Sequence, residues 1–316
     1  MRPGGKVCRL WLVGAGLVWL LWPETGALAQ QVPPSPTVPP PATATLKAEG
    51  KTDDGRLFQE YVREQKMRFE YGRALKITLP PQGSLTVTGS KRSELVVQAT
   101  IRVEGASSAE LAALAERIGF QIDTRDVRLH LMSLGPAVKN LSRKERRAVS
   151  EGLASPLLRL PYRIDYKVVV PEYTDLEIAV FDGDLSLADI YGGIVFTVQR
   201  GRVVLSGVAG TVVGRLATGA ARVELNGRSW RGSGLDLQVG VGDIVLSVPR
   251  GFAADVTLAA STPLDIRYPI NRDADIPPDS PFGLRTRGRF GVGGAALQLM
   301  TARGTLRVEP YPPENP

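Results

Sequence analysis

The chain has 316 residues, of which 43% are hydrophobic and 22% charged, with one cysteine and one histidine. Its 39 basic and 32 acidic side chains give a net charge of +7, a mild and scattered excess that does not point to a nucleic-acid partner. One cysteine excludes a disulfide within the chain, and together with one histidine it excludes a structural zinc site.

Residues 1–29 have the features of a secretory signal peptide. Basic residues precede an apolar run from Leu10 to Trp22, which is too short for a transmembrane helix. Ala27-Leu28-Ala29 offers a signal-peptidase site, so we expect cleavage there, with an uncleaved anchor as the alternative. The predicted location is therefore the periplasm or the cell surface, with no membrane span after cleavage.

Residues 30–66 are predicted to be a proline-rich disordered tether. The stretch "QVPPSPTVPPPATA" favours an extended polyproline conformation, since its prolines lack amide donors. The sequence from Lys47 to Lys66 is polar and poorly periodic, with a short helix as an option around Leu57 to Val62. We therefore expect organised structure to begin near Met67.

Residues 67–310 are predicted to be the folded domain, followed by a tail at 311–316. Its first part, "RALKITLPPQGSLTVTGSKRSELVVQATIRVEG", alternates apolar and polar residues in short bursts between turns, which indicates strands. A helical insertion is predicted within about 107–155. Ser107 and Glu110 fit a capping box there, and "NLSRKERRAVSEGL" predicts a second, polar helix.

Repeated apolar triplets fill the segment from Tyr162 to Tyr268. They start at Leu185, Val203, Val223 and Ile244, with a second family of short strands between them. Glycines at 183, 201, 219, 240 and 242 are predicted to form the turns. A repeat of two short strands cannot bury an apolar face alone, so the repeats must stack. The predicted fold is all-β: stacked strand repeats in a β-helix-like β-solenoid, with one or two short helical insertions. A β-sandwich is the alternative.

Stacking in register would bring the residue before each triplet into one column, which reads Asp184, Arg202, Arg222 and Asp243. Opposite charges would then face each other at both ends of the column. Partly exposed ion pairs contribute only about 0–1 kcal/mol each. We therefore expect this column to help specify the register rather than to hold the fold.

The sequence resembles the bacterial putative-adhesin family, a domain of unknown function composed of β-strand repeats. The resemblance rests on "YRIDYKVVVPEYTDLEIAVFDGDLSLADIYGGIVFTVQRGRVVLSGVAG" and on the closing "GVGGAALQLMTARGTLRVEP", and it covers about residues 68–310. It implies a β-repeat fold, a surface or periplasmic location and a binding role. It implies no reactive residue.

No catalytic residue, cofactor or metal site is predicted. His130 shares a strand face with Arg128 and Met132, and no GxSxG motif accompanies it. The predicted function is a noncatalytic envelope module, adhesin-like or scaffolding, that binds an envelope protein, a glycan or a second copy. A polysaccharide-active β-helix enzyme is the alternative. It would need a carboxylate pair and aromatic platforms, and the repeats offer few outward aromatic residues.

The predicted partner contact is the loop "NGRSWRGSG" at 226–234, through Arg228, Trp230 and Arg231. Tryptophan and arginine often dominate interfaces because each combines a large contact area with a polar or charged group. In the alternative interpretation, the indole of Trp230 folds over an adjacent strand and shields its apolar edge.

Overall fold

The structure is a computed structural model that describes residues 43–53, 55–124, 128–135, 161–273 and 284–311. The predicted signal peptide, most of the proline-rich segment, the second predicted helix and the tail after Tyr311 lie outside these residues.

Strands make up about two thirds of the described residues. It begins with β1 (Thr43–Lys51), β2 (Leu57–Arg68), β3 (Ala74–Thr78), β4 (Leu85–Ser90) and β5 (Glu94–Gly105). One helix follows and leads into two strands: α1 (Ser108–Arg117), β6 (Gly119–Asp123) and β7 (Leu129–Leu134). The repeat region contains β8 (Tyr162–Pro171), β9 (Asp175–Asp182), β10 (Leu185–Ala188), β11 (Tyr191–Arg200), β12 (Val203–Ser206), β13 (Ala209–Thr218), β14 (Ala221–Glu224), β15 (Gly234–Val241), β16 (Ile244–Val248) and β17 (Ala254–Ala260). The last strands are β18 (Asp265–Ile266), β19 (Asn271–Arg272), β20 (Leu284–Phe290), β21 (Ala296–Arg303) and β22 (Leu306–Pro310).

These strands form two sheets of eleven strands each, and neither sheet closes into a barrel. Sheet A has the order β1-β2-β5-β8-β4-β10-β12-β14-β16-β22-β18, and sheet B has the order β19-β20-β17-β21-β15-β13-β11-β9-β3-β7-β6. In most strands alternate side chains are buried, and the buried ones form a single apolar cluster. The predicted all-β class is confirmed.

The apolar triplets pair side by side in sheet A. Leu185 pairs with Val203, Val203 with Ala221 and Ala221 with Ile244, all in parallel strands. The third repeat therefore begins at Ala221, and its predicted start at Val223 is wrong by two residues. A slip of two leaves the same side chains facing the core, so alternation alone could not detect it. The second family of strands pairs in the same way in sheet B.

This register shows that the predicted charge column is wrong at its third member. Ala220, not Arg222, precedes the third repeat, and Arg222 lies inside β14 with its Nη1 3.7 Å from Glu224. Asp184 Oδ1 accepts a hydrogen bond from the backbone N–H of Arg202 at 2.8 Å. Asp243 Oδ1 accepts one from Thr305 at 2.7 Å. These carboxylates therefore bind backbone donors of the neighbouring repeat.

A column of glycines forms the turns from sheet B to sheet A. A Cβ atom added to any of them would lie 2.0 Å or less from a backbone carbonyl oxygen of the neighbouring repeat. The members of this glycine column are Gly83, Gly183, Gly201, Gly219, Gly242 and Gly304. Only a residue without a side chain permits this approach. The predicted turn glycine at 240 is an exception, because it lies inside β15.

Strand structure begins earlier than the sequence predicts. β1 (Thr43–Lys51) and β2 (Leu57–Arg68) pair antiparallel, so the short helix considered for 57–62 is wrong. β2 pairs with β5 along its whole length, while its own side chains are mostly half-buried. Backbone pairing therefore determines β2. Because its side chains are not buried in alternation, the sequence of β2 shows no apolar alternation that could predict the strand.

Among the described residues of the predicted helical insertion, the helix is confined to the first part. The Oγ of Ser107 accepts a hydrogen bond from the N–H of Glu110, and Glu110 Oε2 accepts one from Ala106. This confirms the capping box of α1. The described residues that follow form the antiparallel strands β6 and β7 rather than a helix.

Sequence order and spatial order differ at both ends of the stack. β21 lies between β15 and β17 in sheet B, and β22 lies between β16 and β18 in sheet A. At the other end, β3 and β4 lie against β9 and β10. The turn before β3 is therefore brought beside the turns of the central repeats.

Candidate functional site

The predicted contact loop is anchored by its tryptophan. Trp230 is 8% exposed, and its Nε1 donates a hydrogen bond to the carbonyl oxygen of Gly210 at 2.9 Å. Gly232 packs so closely that an added Cβ would lie 2.4 Å from the Cα of Gly210. The indole thus packs against the neighbouring strand β13, as in the alternative interpretation, with 8% of the residue exposed.

The two arginines of the loop are exposed and lie in different surroundings. The guanidinium of Arg231 lies over the ring of Tyr191, 4.2 Å from its centroid. The backbone carbonyl of Arg228 accepts a hydrogen bond from Ala253, in the turn before β17. The structure therefore separates the two, and their contact with a partner stays a prediction.

Three tyrosines continue from Arg231 along the same edge of the molecule. The Tyr191 ring lies 5.6 Å from that of Tyr173, and the Tyr173 ring lies 6.2 Å from that of Tyr71. Tyr71 is 48% exposed and Tyr173 is 53% exposed. We call Tyr71, Tyr173 and Tyr191 the tyrosine row.

The row exists because each tyrosine lies where the chain passes from sheet A to sheet B. Tyr71 precedes β3, Tyr173 precedes β9 and Tyr191 begins β11, and these strands are neighbours in sheet B. Backbone hydrogen bonds join the turns, from Gly72 to the Tyr173 carbonyl and from Tyr191 to the Glu172 carbonyl. Adjacent strands lie about 4.8 Å apart, so the rings follow one another at nearly that spacing.

A shallow groove of about 390 Å³ lies beside the row on the outer face of sheet B. Its lining residues are Ala74, Leu75, Arg128, Asp175, Leu176, Glu177, Gly193 and Val195. Tyr191 and Gly193 are two residues apart in β11, so they lie on the same face of the strand. Gly193 leaves the floor open, and Val195 is 50% exposed beside it. The row and the groove therefore form one continuous surface.

Positive and negative side chains pair with each other in and beside the groove. Glu177 accepts hydrogen bonds from Lys76 at one oxygen and from Arg128 at the other. The bond from Lys76 is the main reason that the pKa of Glu177 is lowered, with Arg128 adding to it. Asp175 Oδ1 accepts a hydrogen bond from the N–H of Gly193 at 2.7 Å. Both carboxylates keep unused acceptor positions toward the groove.

The only histidine lies at the edge of this region. Leu129 and Leu131 are buried on one face of β7, and His130 lies on the other, with Nε2 3.1 Å from Thr78 Oγ1. The described residues contain no group of three or more histidine, cysteine, aspartate or glutamate side chains that could hold a metal ion. Within the same ranges, no helix is long and apolar enough to cross a membrane.

The tyrosine row is the part of the site that the sequence analysis missed. Tyr173 and Tyr191 are 18 residues apart, which is the spacing of the first two repeats, so the repeat period could have paired them. Tyr71 joins them only because β3 packs against β9. The repeats do have few outward aromatic residues, but the sequence did not show that three tyrosines lie together at one edge of sheet B.

No family model matches this chain, and a search of curated proteins finds no match. Among solved structures, it is similar to a putative cell adhesion protein from Clostridium sporogenes, with 10% identity over 79% of this chain and 99% of that one and a TM-score of 0.38. A putative adhesin from Bacteroides fragilis shows 12% identity over 79% and 96%, with a TM-score of 0.28. A putative lipid binding protein from Parabacteroides distasonis shows 9% identity over 78% and 97%, with a TM-score of 0.31.

Proposed function

We propose that this chain is an exported, noncatalytic binding module of the cell envelope, adhesin-like or scaffolding, built on a β-solenoid. The solenoid interpretation is supported by the path of the chain, since successive strands from β8 to β18 alternate between the two sheets. Neighbouring repeats pair in parallel, whereas a sandwich of hairpins would pair its consecutive strands antiparallel. Stacked repeats expose long surfaces that suit binding.

The tyrosine row is the observation that carries the binding role. Two of its rings, Tyr71 and Tyr173, are about half exposed and lie next to each other, which forms an exposed aromatic patch. Tyrosine and arginine are enriched in interfaces, and Arg231 already stacks on the end of the row. An envelope protein, a glycan or a second copy of the chain could each occupy such a surface.

The charges of the groove argue against the enzymatic alternative. Glycoside cleavage needs a carboxylic acid with a raised pKa beside a second carboxylate. Glu177 has the opposite perturbation, because its ion pairs with Lys76 and Arg128 lower its pKa. Glu177 therefore does not have the raised pKa that a general acid needs.

Binding of the mature protein to its own cell envelope tests the proposal. We expect Tyr173→Ala to weaken binding by about tenfold, the effect of removing an interface anchor worth about 1.4 kcal/mol. Val292→Ala is the matched control, since Val292 is 91% exposed in the turn between β20 and β21. Equal binding of wild type and Tyr173→Ala would refute a role for the row.

N-terminal sequencing of the protein recovered outside the cytoplasm tests export, and an intact Met1 would contradict cleavage.

A further inference from the structure

We infer that the tyrosine row and the groove together bind a neutral oligosaccharide chain. This assignment rests on the proposed binding function and names the class of ligand. It depends on three features of the surface: the arrangement of the rings, the hydrogen-bonding groups beside them and the balance of charge.

The rings are arranged to receive a chain of sugar units one after another. Their centroids are 6.2 and 5.6 Å apart, comparable to the length of one pyranose unit, and successive planes are tilted by 59° and 57°. A pyranose ring presents a face of C–H groups, and that face packs on an exposed aromatic ring. The tilt between rings suits a chain whose successive sugars are rotated against one another.

The groove provides the hydrogen bonds that sugar hydroxyls need. Asp175 and Glu177 accept through unused lone pairs, and the guanidinium of Arg128 has N–H groups beyond the one that binds Glu177. A hydroxyl both donates and accepts, so it can bond to either kind of group. The volume of about 390 Å³ falls within the range of about 300–1,000 Å³ that is typical of small-molecule sites.

The charges of the groove and its unused hydrogen-bond acceptors favour a neutral sugar over a polyanion or a proline-rich peptide. Lys76 and Arg128 both pair with Glu177, and Asp175 adds a second negative charge, so apart from Arg231 at the end of the row these charges cancel and offer little attraction to a polyanion. Proline-rich peptides also bind rows of aromatic side chains. Their prolines have no N–H, however, and would leave the remaining acceptor positions of Asp175 and Glu177 without donors once water is displaced.

Calorimetric titration of the mature protein with defined ligands tests the assignment. The panel contains neutral glucose, mannose and N-acetylglucosamine oligomers, oligomers of uronic acid, and a synthetic proline-rich peptide. We expect a neutral oligomer to bind and to be recovered uncleaved. We expect tenfold or greater weakening by Tyr173→Ala, a change below threefold for Tyr173→Phe, which keeps the ring, and weakening of about fivefold by Arg128→Gln. Val292→Ala should bind as wild type.

The outcomes separate the ligand class from the binding role. Preferred binding of the uronic-acid oligomers or the peptide would overturn the assignment to a neutral glycan. So would the absence of any neutral-glycan binding in a protein whose envelope binding still depends on Tyr173. If Tyr173→Ala binds both the oligosaccharide and the envelope as wild type does, the tyrosine row is not the binding surface and the assignment fails, whereas the proposed binding function stands.

Discussion

Close packing of Gly219 against Gly201, at the centre of the glycine column, allows the stability loss of a glycine substitution to be predicted. A Cβ atom on residue 219 would lie 1.7 Å from the carbonyl oxygen of Gly201, and the φ of Gly219 is +140°. To reach 3.0 Å, below which real Cβ atoms are essentially never found, the two backbones must separate by 1.3 Å. The same residues take part in the backbone ladder, with the N–H of Gly219 bonded to Val241 and that of Gly201 bonded to Thr218.

Gly219→Ala should therefore lower the free energy of unfolding by about 2–6 kcal/mol. Backbone strain in a conformation reserved for glycine contributes about 1–3 kcal/mol, and a broken ladder hydrogen bond contributes a further 1–3 kcal/mol. Gly227→Ala is the matched control, because Gly227 also has a positive φ, +73°, but an added Cβ would meet nothing within 4 Å. Only the conformational cost of about 1–2 kcal/mol should appear there.

Urea unfolding followed by circular dichroism measures both changes under one set of conditions. The expected order of stability is wild type, then Gly227→Ala, then Gly219→Ala. If Gly219→Ala lies within about 1 kcal/mol of Gly227→Ala, close packing between repeats is not what requires glycine in the column, and the argument fails.

Two further changes test the contact loop and a carboxylate that links repeats. Trp230→Ala should cost about 3–5 kcal/mol, the loss for a buried aromatic side chain, and thermal melting would show it; an unchanged melting curve would place the indole at the surface. Asp243 has a lowered pKa, chiefly because it accepts a hydrogen bond from the backbone N–H of Thr305. The ionised carboxylate of Asp243 therefore stabilises the fold fully above about pH 4, the ordinary pKa of an aspartate. That stabilisation is lost as the pH falls through the lower pKa that Asp243 has in the folded protein. Asp243→Asn should be less stable than wild type at pH 7, with a difference that narrows in urea titrations at pH 3; an equal difference at both pH values would exclude the ionised carboxylate as its source.

The sequence was most informative where one residue type had one physical role. Gly183, Gly201, Gly219 and Gly242 were predicted as turns, and they all belong to the glycine column. The capping box at Ser107 and Glu110 identified α1, because its hydrogen bonds are local. These signals need no knowledge of distant parts of the chain.

The sequence was least informative where distant segments determine the structure. Ala221 and Val223 both face the core, so the register of the third repeat depends on pairing with β12 and β16 rather than on alternation. β2 is specified by its pairing with β5, and the positions of β21 and β22 by strands far from them in sequence.

The candidate site combines both situations. Arg231 was predicted as a contact residue from its type and its loop, and the structure places it on Tyr191. Tyr71 is 102 residues from Tyr173 in sequence, and only the packing of β3 against β9 joins them. A surface composed in this way cannot be recognised from any one stretch of the sequence.

Oxidative footprinting of the tyrosine row on the intact cell envelope tests the central claim most directly. Tyr71 and Tyr173 are about half exposed, so hydroxyl radicals should modify both in the free protein. We expect the modification of both to fall severalfold when the protein is bound to its envelope, while Val292, on the exposed turn before β21, stays reactive. Unchanged modification of Tyr71 and Tyr173 in the bound protein, with protection elsewhere, would contradict the account.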